Sequence, residues 1–185
     1  MGIIKRLSGV VVIAVLAGGA NLAAQETFTA TASVKSPKAS ASAPVTIVLD
    51  RFVSDADRDR IMAVVKKNDG AATRAALAAM PDIGYIELAQ KRTPVKYAYA
   101  RSTGGGRLIT VVTAQPILYL GGAAPDAKPK AGFDLALALL ILDGADKGDG
   151  ELAPAVKVKM NDTGAIVTDE YGSEVVRLIG IAKSK

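Results

Sequence analysis

From Glu26 to Val34 the chain alternates strictly, with Phe28, Ala30, Ala32 and Val34 on one side and Thr27, Thr29, Thr31 and Ser33 on the other. Successive side chains of a strand point to opposite faces, so this stretch predicts a strand with one buried face. Residues 36–44, rich in Ser, Ala, Lys and Pro, predict a flexible loop. Val45–Phe52, apolar and β-branched, predicts the second strand. The period then lengthens. Ser54 with Asp57 three residues on forms a helix start, Ile61, Val64 and Val65 make a helical stripe, and Gly70 is placed to stop it. A second helix is predicted over Ala71–Met80, burying Leu77 and Met80 and ended by Pro81.

Beyond Ile83 the period returns to two. Ile83–Leu88, Val95–Arg101 and Arg107–Ala114 predict strands, and Gly104, Gly105 and Gly106 a hairpin loop between the last two. Ile117–Leu120 prolongs the third of these beyond Pro116, and Gly121–Gly132 predicts a loop. Phe133–Met160 is the longest structured unit. Leu and Ala favour helix, but the run 135–142 is short, apolar on every helical face, and ends at an acidic, Gly-rich turn. A hairpin is the consistent reading, with Phe133, Leu135, Leu137, Leu139 and Ile141 facing the core. On its second arm Val156, Val158 and Met160 alternate with Ala155, Lys157 and Lys159, the pattern of a half-solvated strand. Asn161–Gly164 is a further turn, and Ala165–Glu170 and Glu174–Ala182 are the last strands.

Together these elements predict an α+β fold, a curved and mostly antiparallel sheet of eight or nine strands in meander order. A two-helix insertion follows the second strand. The alternative is an all-β sandwich with a peripheral helical insert. Residues 25–185 form one domain, with neither repeats nor a second boundary.

Residues 1–24 read differently. Lys5 and Arg6 precede an apolar run around Val10–Ala17, and Gly18–Ala24 supplies small residues, the order of a secretory signal peptide. The apolar run is shorter than the roughly 20 residues of a spanning helix. The expected location is therefore periplasmic or extracellular, with no membrane span once the leader is cleaved. Cleavage takes two cations and no acid, lowering the net charge from +5 to +3. The remaining charge is mixed and forms no stripe of Lys and Arg that could track phosphates, so nucleic acid is not an expected partner.

The chain has no His and no Cys. That removes Ser-His-Asp and Cys nucleophile chemistry, thiolate or imidazole zinc sites, haem ligation by His, iron–sulfur clusters and disulfides. With 4% aromatic residues and no Trp, stacking platforms for sugars or bases are not expected either.

The order of several short motifs resembles a family of uncharacterised secreted bacterial proteins, each a leader followed by a small domain. The matching stretches run from Val45 and Ile47 through Arg51 and Ser54 into Asp55–Arg60, then Gly84-Tyr85-Ile86, Tyr97–Arg101 and Gly105–Ile109 continuing to Gln115-Pro116-Ile117. They end with Gly148–Leu152 and Tyr171–Leu178. This resemblance implies no activity and assigns no residue a role.

Asp143, Asp146, Asp149 and Glu151 crowd one turn with three glycines, a composition suited to calcium. Their spacing departs from the EF-hand loop, so they are a weak calcium candidate and the reading assigns no metal site. Gly104–Gly106 lacks the Gly-Lys-Ser/Thr ending of a phosphate loop. Tyr97, Tyr99, Arg101 and Arg107 could form a cationic, aromatic face, although cross-strand packing accounts for the same residues. Asp57, Arg58, Asp59 and Arg60 read as a charged helix surface. No catalytic residue and no cofactor is indicated. The expected function is a non-catalytic secreted or periplasmic binding or accessory protein of the cell envelope, holding an envelope component or a small apolar ligand. The alternatives are a small hydrolase working through Asp and Glu carboxylates and a calcium-stabilised extracellular module.

Overall fold

The computed structural model describes residues 25–35, 40–67, 69–118, 131–160, 166–170 and 176–184. The expected leader 1–24, loop residues 36–39, the stretch 119–130 and the turn 161–164 lie outside these, as does Glu174. The strands are β1 (Glu26–Lys35), β2 (Ser40–Leu49), β3 (Gly84–Leu88), β4 (Lys91–Thr103), β5 (Gly106–Thr113), β6 (Leu135–Asp143), β7 (Lys147–Met160), β8 (Ile166–Glu170) and β9 (Val176–Lys183). Helices α1 (Asp55–Val65) and α2 (Gly70–Ala78) sit between β2 and β3, as the sequence predicts.

Every pairing is antiparallel, and β1 through β7 neighbour one another in chain order. The last strand changes the architecture. β9 pairs with both β1 and β7, so the expected open sheet closes into an eight-stranded barrel. Meander order fixes which strands are neighbours along the chain, but closure depends on the last strand meeting the first, which local alternation does not encode. The sandwich alternative falls with it, because the strands form one continuous sheet. β8 is a ninth strand outside the ring. Val156 pairs with Leu135 on one side and Glu170 on the other, so β8 follows the same edge of β7 that β9 occupies further along.

Residues 40–44, expected in a loop, instead extend β2 and pair with β1 out to Ser40–Lys35. Pro44 is tolerated there because β3 begins its pairing only at Val45, which leaves the proline on an edge with no hydrogen bond to donate. Gly70 starts α2 and does not merely stop α1. Lys66 is the C-cap of the first helix, and Asp69 caps the second by accepting the Ala72 N–H. Ser54 accepts the Asp57 N–H at 3.1 Å, as its sequence position implies. Ile117 is buried in irregular chain and donates its N–H to the Pro154 carbonyl, where the sequence suggested strand.

Register separates two apolar layers. The barrel interior is filled by Phe28, Ile47, Leu49, Ile86, Leu88, Ile109, Leu140, Leu152, Leu178 and Ile181, all essentially without solvent contact. An eight-stranded ring is just wide enough for side chains to fill in this way. Gly148 and Gly150 stand opposite Leu142 and Leu140, so small residues make room for large ones across the pair. The fit at Gly148 is tight, since a Cβ there would lie 1.9 Å from the Ile141 carbonyl oxygen.

On β6 the even-numbered residues Ala136, Ala138, Leu140 and Leu142 face this interior, which reverses the expected orientation of the hairpin. Arg107, Ile109 and Val111 share their face across the β5 pairing. The odd-numbered Leu135 and Leu137 point outward with Val112, Tyr97 and Val156, and they are buried all the same. The cover is the helical pair, which rests on β4 and β7 and contributes buried Ile61, Val65 and Leu77. Further along the same outer face the cover ends, and Ile141 is 62% exposed.

Candidate functional site

The polar groups with the most organised surroundings lie inside one mouth of the barrel. Glu26 opens β1, Arg107 stands near the start of β5, Asp146 ends the β6–β7 turn and Lys183 closes β9. Closure of the sheet is what brings them together. Arg107 Nε donates to Asp146 Oδ1 at 2.8 Å, and its Nη2 lies 2.9 Å from Glu26 Oε2. That second contact is an ion pair without an aligned hydrogen bond, and both atoms are buried without another partner. Lys183 Nζ donates to Glu26 Oε1 at 2.8 Å and stands 3.6 Å from Asp146 Oδ2. The Arg107 guanidinium also lies 5.6 Å from the centre of the Phe28 ring, the first apolar layer below it. Burial works to lower the pKa of Arg107, but its hydrogen bonds to Glu26 and Asp146 outweigh it and hold the group above its ordinary value.

Two acids against two cations make the mouth electrically balanced. Such a cluster can fix the ends of four strands at a common point, and it leaves neither carboxylate without a cation. The Glu26 side chain is 14% exposed and that of Arg107 21%. Removing one member of a buried pair costs about 3–5 kcal/mol, less where water still reaches it. Glu26→Gln is therefore expected to destabilise the fold by about 2 kcal/mol in urea melts, whereas the joint change Glu26→Leu with Arg107→Met should cost clearly less than the sum of its parts. A loss below about 0.5 kcal/mol for Glu26→Gln would reduce the cluster to an ordinary surface ion pair.

The four acids of the turn do not converge. Asp143 accepts the N–H groups of Lys147 and Ala145, bonds that hold its carboxyl below the usual range. Asp146 takes a positive φ of 58° and turns inward to Arg107. Asp149 points the other way and accepts the Gly180 N–H at 2.8 Å, supporting an irregularity in β9. Glu151 is exposed on the outer face opposite Arg177. Among the described residues no three acidic side chains gather at one point.

The suggested cationic, aromatic face also divides. Tyr97, Tyr99 and Arg101 lie on the outside of β4, whereas Arg107 faces in. Outside, Arg58 of α1 stacks 4.9 Å from the Tyr99 ring and bonds its hydroxyl, which in turn donates to Asp55 at 3.0 Å. Tyr97 lies beneath the helices, and burial pushes its hydroxyl up to about 12 against the opposing pull of Arg58. The unfolded chain loses this proton near pH 10 while the folded one keeps it, so stability should fall between about pH 10 and 12. Tyr97→Phe is expected to remove roughly 2–3 kcal/mol of that alkaline loss, read as a shallower decline of melting temperature with pH. An unchanged alkaline limb would show that the hydroxyl is hydrated.

One crevice between α2 and the β6–β7 pair, lined by Thr73, Asp134, Leu135, Lys157 and Val158, has a volume of about 10 Å³, room for about one water. The exposed large apolar side chains of the described residues are Ile141 on β6 and Ile179 on β9. They flank Asp149 of β7 on the outer face, two strand spacings apart, or roughly 10 Å. No signal marked Ile141 in the sequence, because every neighbour from Leu135 to Leu142 is also apolar. No family model, curated protein or solved structure matches this chain.

Proposed function

We propose that this protein is a non-catalytic module of the cell envelope, exported by residues 1–24 acting as a leader, that binds an envelope component through its outer surface. The observation that carries the reading is that large side chains fill the described part of the barrel interior. An eight-stranded barrel can hold a small ligand where its centre is left open. Here Phe28, Ile86, Leu140 and their neighbours occupy that space, and the mouth above them is closed by mutually paired charges. On the outer surface Ile141 and Ile179 offer two exposed apolar side chains on either side of Asp149, the contact this reading uses.

The test is site-specific photo-crosslinking in cells that export the protein. A crosslinker at position 141 or 179 is expected to give discrete adducts, and one at Gln90, on the exposed β3–β4 turn, is expected to give none. Equal labelling from all three positions, or no labelling at all, would defeat the surface reading. Turnover in a hydrolase panel that disappears on changing one Asp or Glu would establish the enzymatic alternative in its place.

A further inference from the structure

We propose that Lys183 and Asp146 form a covalent modification site, joined in the folded chain by an isopeptide bond between the side-chain amine and the side-chain carboxyl. The inference concerns the mouth of the barrel and is independent of what the outer surface binds. Both residues lie where the ring of strands closes. The Lys183 N–H donates to the Asp146 carbonyl at 3.1 Å, so the two backbones are already held side by side. Asp146 takes its positive φ of 58° at the end of the β6–β7 turn, and its side chain turns into the mouth. There Lys183 Nζ stands 3.6 Å from Asp146 Oδ2, near the roughly 3–3.5 Å of groups held for attack.

A carboxylate ordinarily resists an amine, because it carries a negative charge and because the amine is protonated. The other two members of the cluster act on both obstacles. Glu26 Oε1 accepts a hydrogen bond from Lys183 Nζ at 2.8 Å, which places a base on the ammonium. Arg107 Nε donates to Asp146 Oδ1 at 2.8 Å and draws charge toward the oxygen that does not leave. None of the four side chains is more than 34% exposed, and Phe28 lies beneath Arg107, which limits competing water.

Glu26 takes a proton from the ammonium, and the freed lone pair of Nζ attacks Cγ of Asp146. A C–N bond forms, and Oδ1 carries the negative charge beside Arg107. The nitrogen then gives up a second proton through Glu26, and both protons reach Oδ2. The Cγ–Oδ2 bond breaks with its electron pair on oxygen, which leaves as water. Nothing is oxidised or reduced, and no further reactant is consumed. One cation and one anion disappear together, so the mouth stays balanced with Arg107 beside Glu26. The chain has no Cys and therefore no disulfide, and this amide ties the β6–β7 turn to the end of β9 instead.

The experiment purifies the full chain, holds it folded at neutral pH, and follows its intact mass against that of the sequence between its measured termini. A mass lower by one water is the expected result, with a digest giving one branched peptide that joins Asp146 to Lys183. Lys183→Met and Asp146→Ala should keep the full mass. Glu26→Gln should slow linkage by about a hundredfold. Asp146→Asn should give the same branched peptide with loss of ammonia in place of water. A parent chain that keeps its full mass overturns the proposal, as does loss of water without that branched peptide. A folded Asp146→Asn chain that forms no link overturns Asp146 as the acyl partner, and a folded Glu26→Gln chain linking at the parent's rate overturns the role of Glu26.

Discussion

Gly84→Ala is expected to lower the melting temperature by about 10 °C. Gly84 begins β3 with φ +145°, a conformation that side chains rarely adopt. A Cβ at this position would lie 1.9 Å from the carbonyl oxygen of Val48 and 3.0 Å from the Leu49 Cα, both backbone atoms of the paired strand. Neither can turn aside as a long side chain could. Strain at a sparsely populated φ costs about 1–3 kcal/mol, and forced displacement in a packed region costs a similar amount again. Their combined effect, about 3–5 kcal/mol, is a large part of an ordinary domain's stability. Gly105→Ala is the matched control, because nothing lies within 4 Å of a Cβ there. It should change stability by no more than about 0.5 kcal/mol. Equal melting of the two variants would show that β2 and β3 do not approach so closely at the start of the helical insertion.

Much of this architecture was legible because its signals are local. Ser54, the Ile61–Val65 stripe and Pro81 mark the helical pair within a few residues of its actual limits. Strands β1 and β3 alternate because one of their faces meets the interior and the other meets water or a polar neighbour. The junction of the helices reads wrongly because Gly signals a stop on its own, whereas its meaning here is set by Asp69, whose carboxylate caps the next helix. Barrel closure was illegible for a different reason. It is a pairing of β1 with β9, and nothing in either strand's alternation names the other.

The mouth cluster was hidden by the same long range. Arg107 invited grouping with Tyr97 and Tyr99, which are near it in sequence and across a hairpin in space. Its true partners are Glu26, 81 positions away, and Asp146, 39 positions away. Lys183 meets Glu26 across 157 positions. The acidic turn shows the opposite relation between sequence and space. Asp143, Asp146 and Asp149 are close in sequence, yet each serves a different backbone or ionic partner, so nearness along the chain did not become convergence.

Charges placed along β6 should report which side of the barrel wall each residue occupies. Alternation cannot tell the faces of this strand apart, because its inner side chains fill the barrel and several outer ones lie under the helices. Leu140→Asp is expected to leave the chain unfolded at room temperature. Leu140 has no solvent exposure and faces the interior, so its replacement removes an apolar side chain worth about 2–5 kcal/mol and installs an unpaired carboxylate at a further cost of several. Together these approach the whole stability of an ordinary domain. Leu137→Asp meets a softer boundary. At 8% exposure it is also buried, but on the outer face, where α1 and α2 can lift away and admit water to the new charge. The expected cost is about 2–4 kcal/mol, with helical dichroism lost before the strand signal. Ile141→Asp, one position from Leu140 and 62% exposed, should stay within about 0.5 kcal/mol of the parent. If Ile141→Asp proved as damaging as Leu140→Asp, the register of β6 would have to be shifted by one residue, and the odd-numbered face would be the core after all.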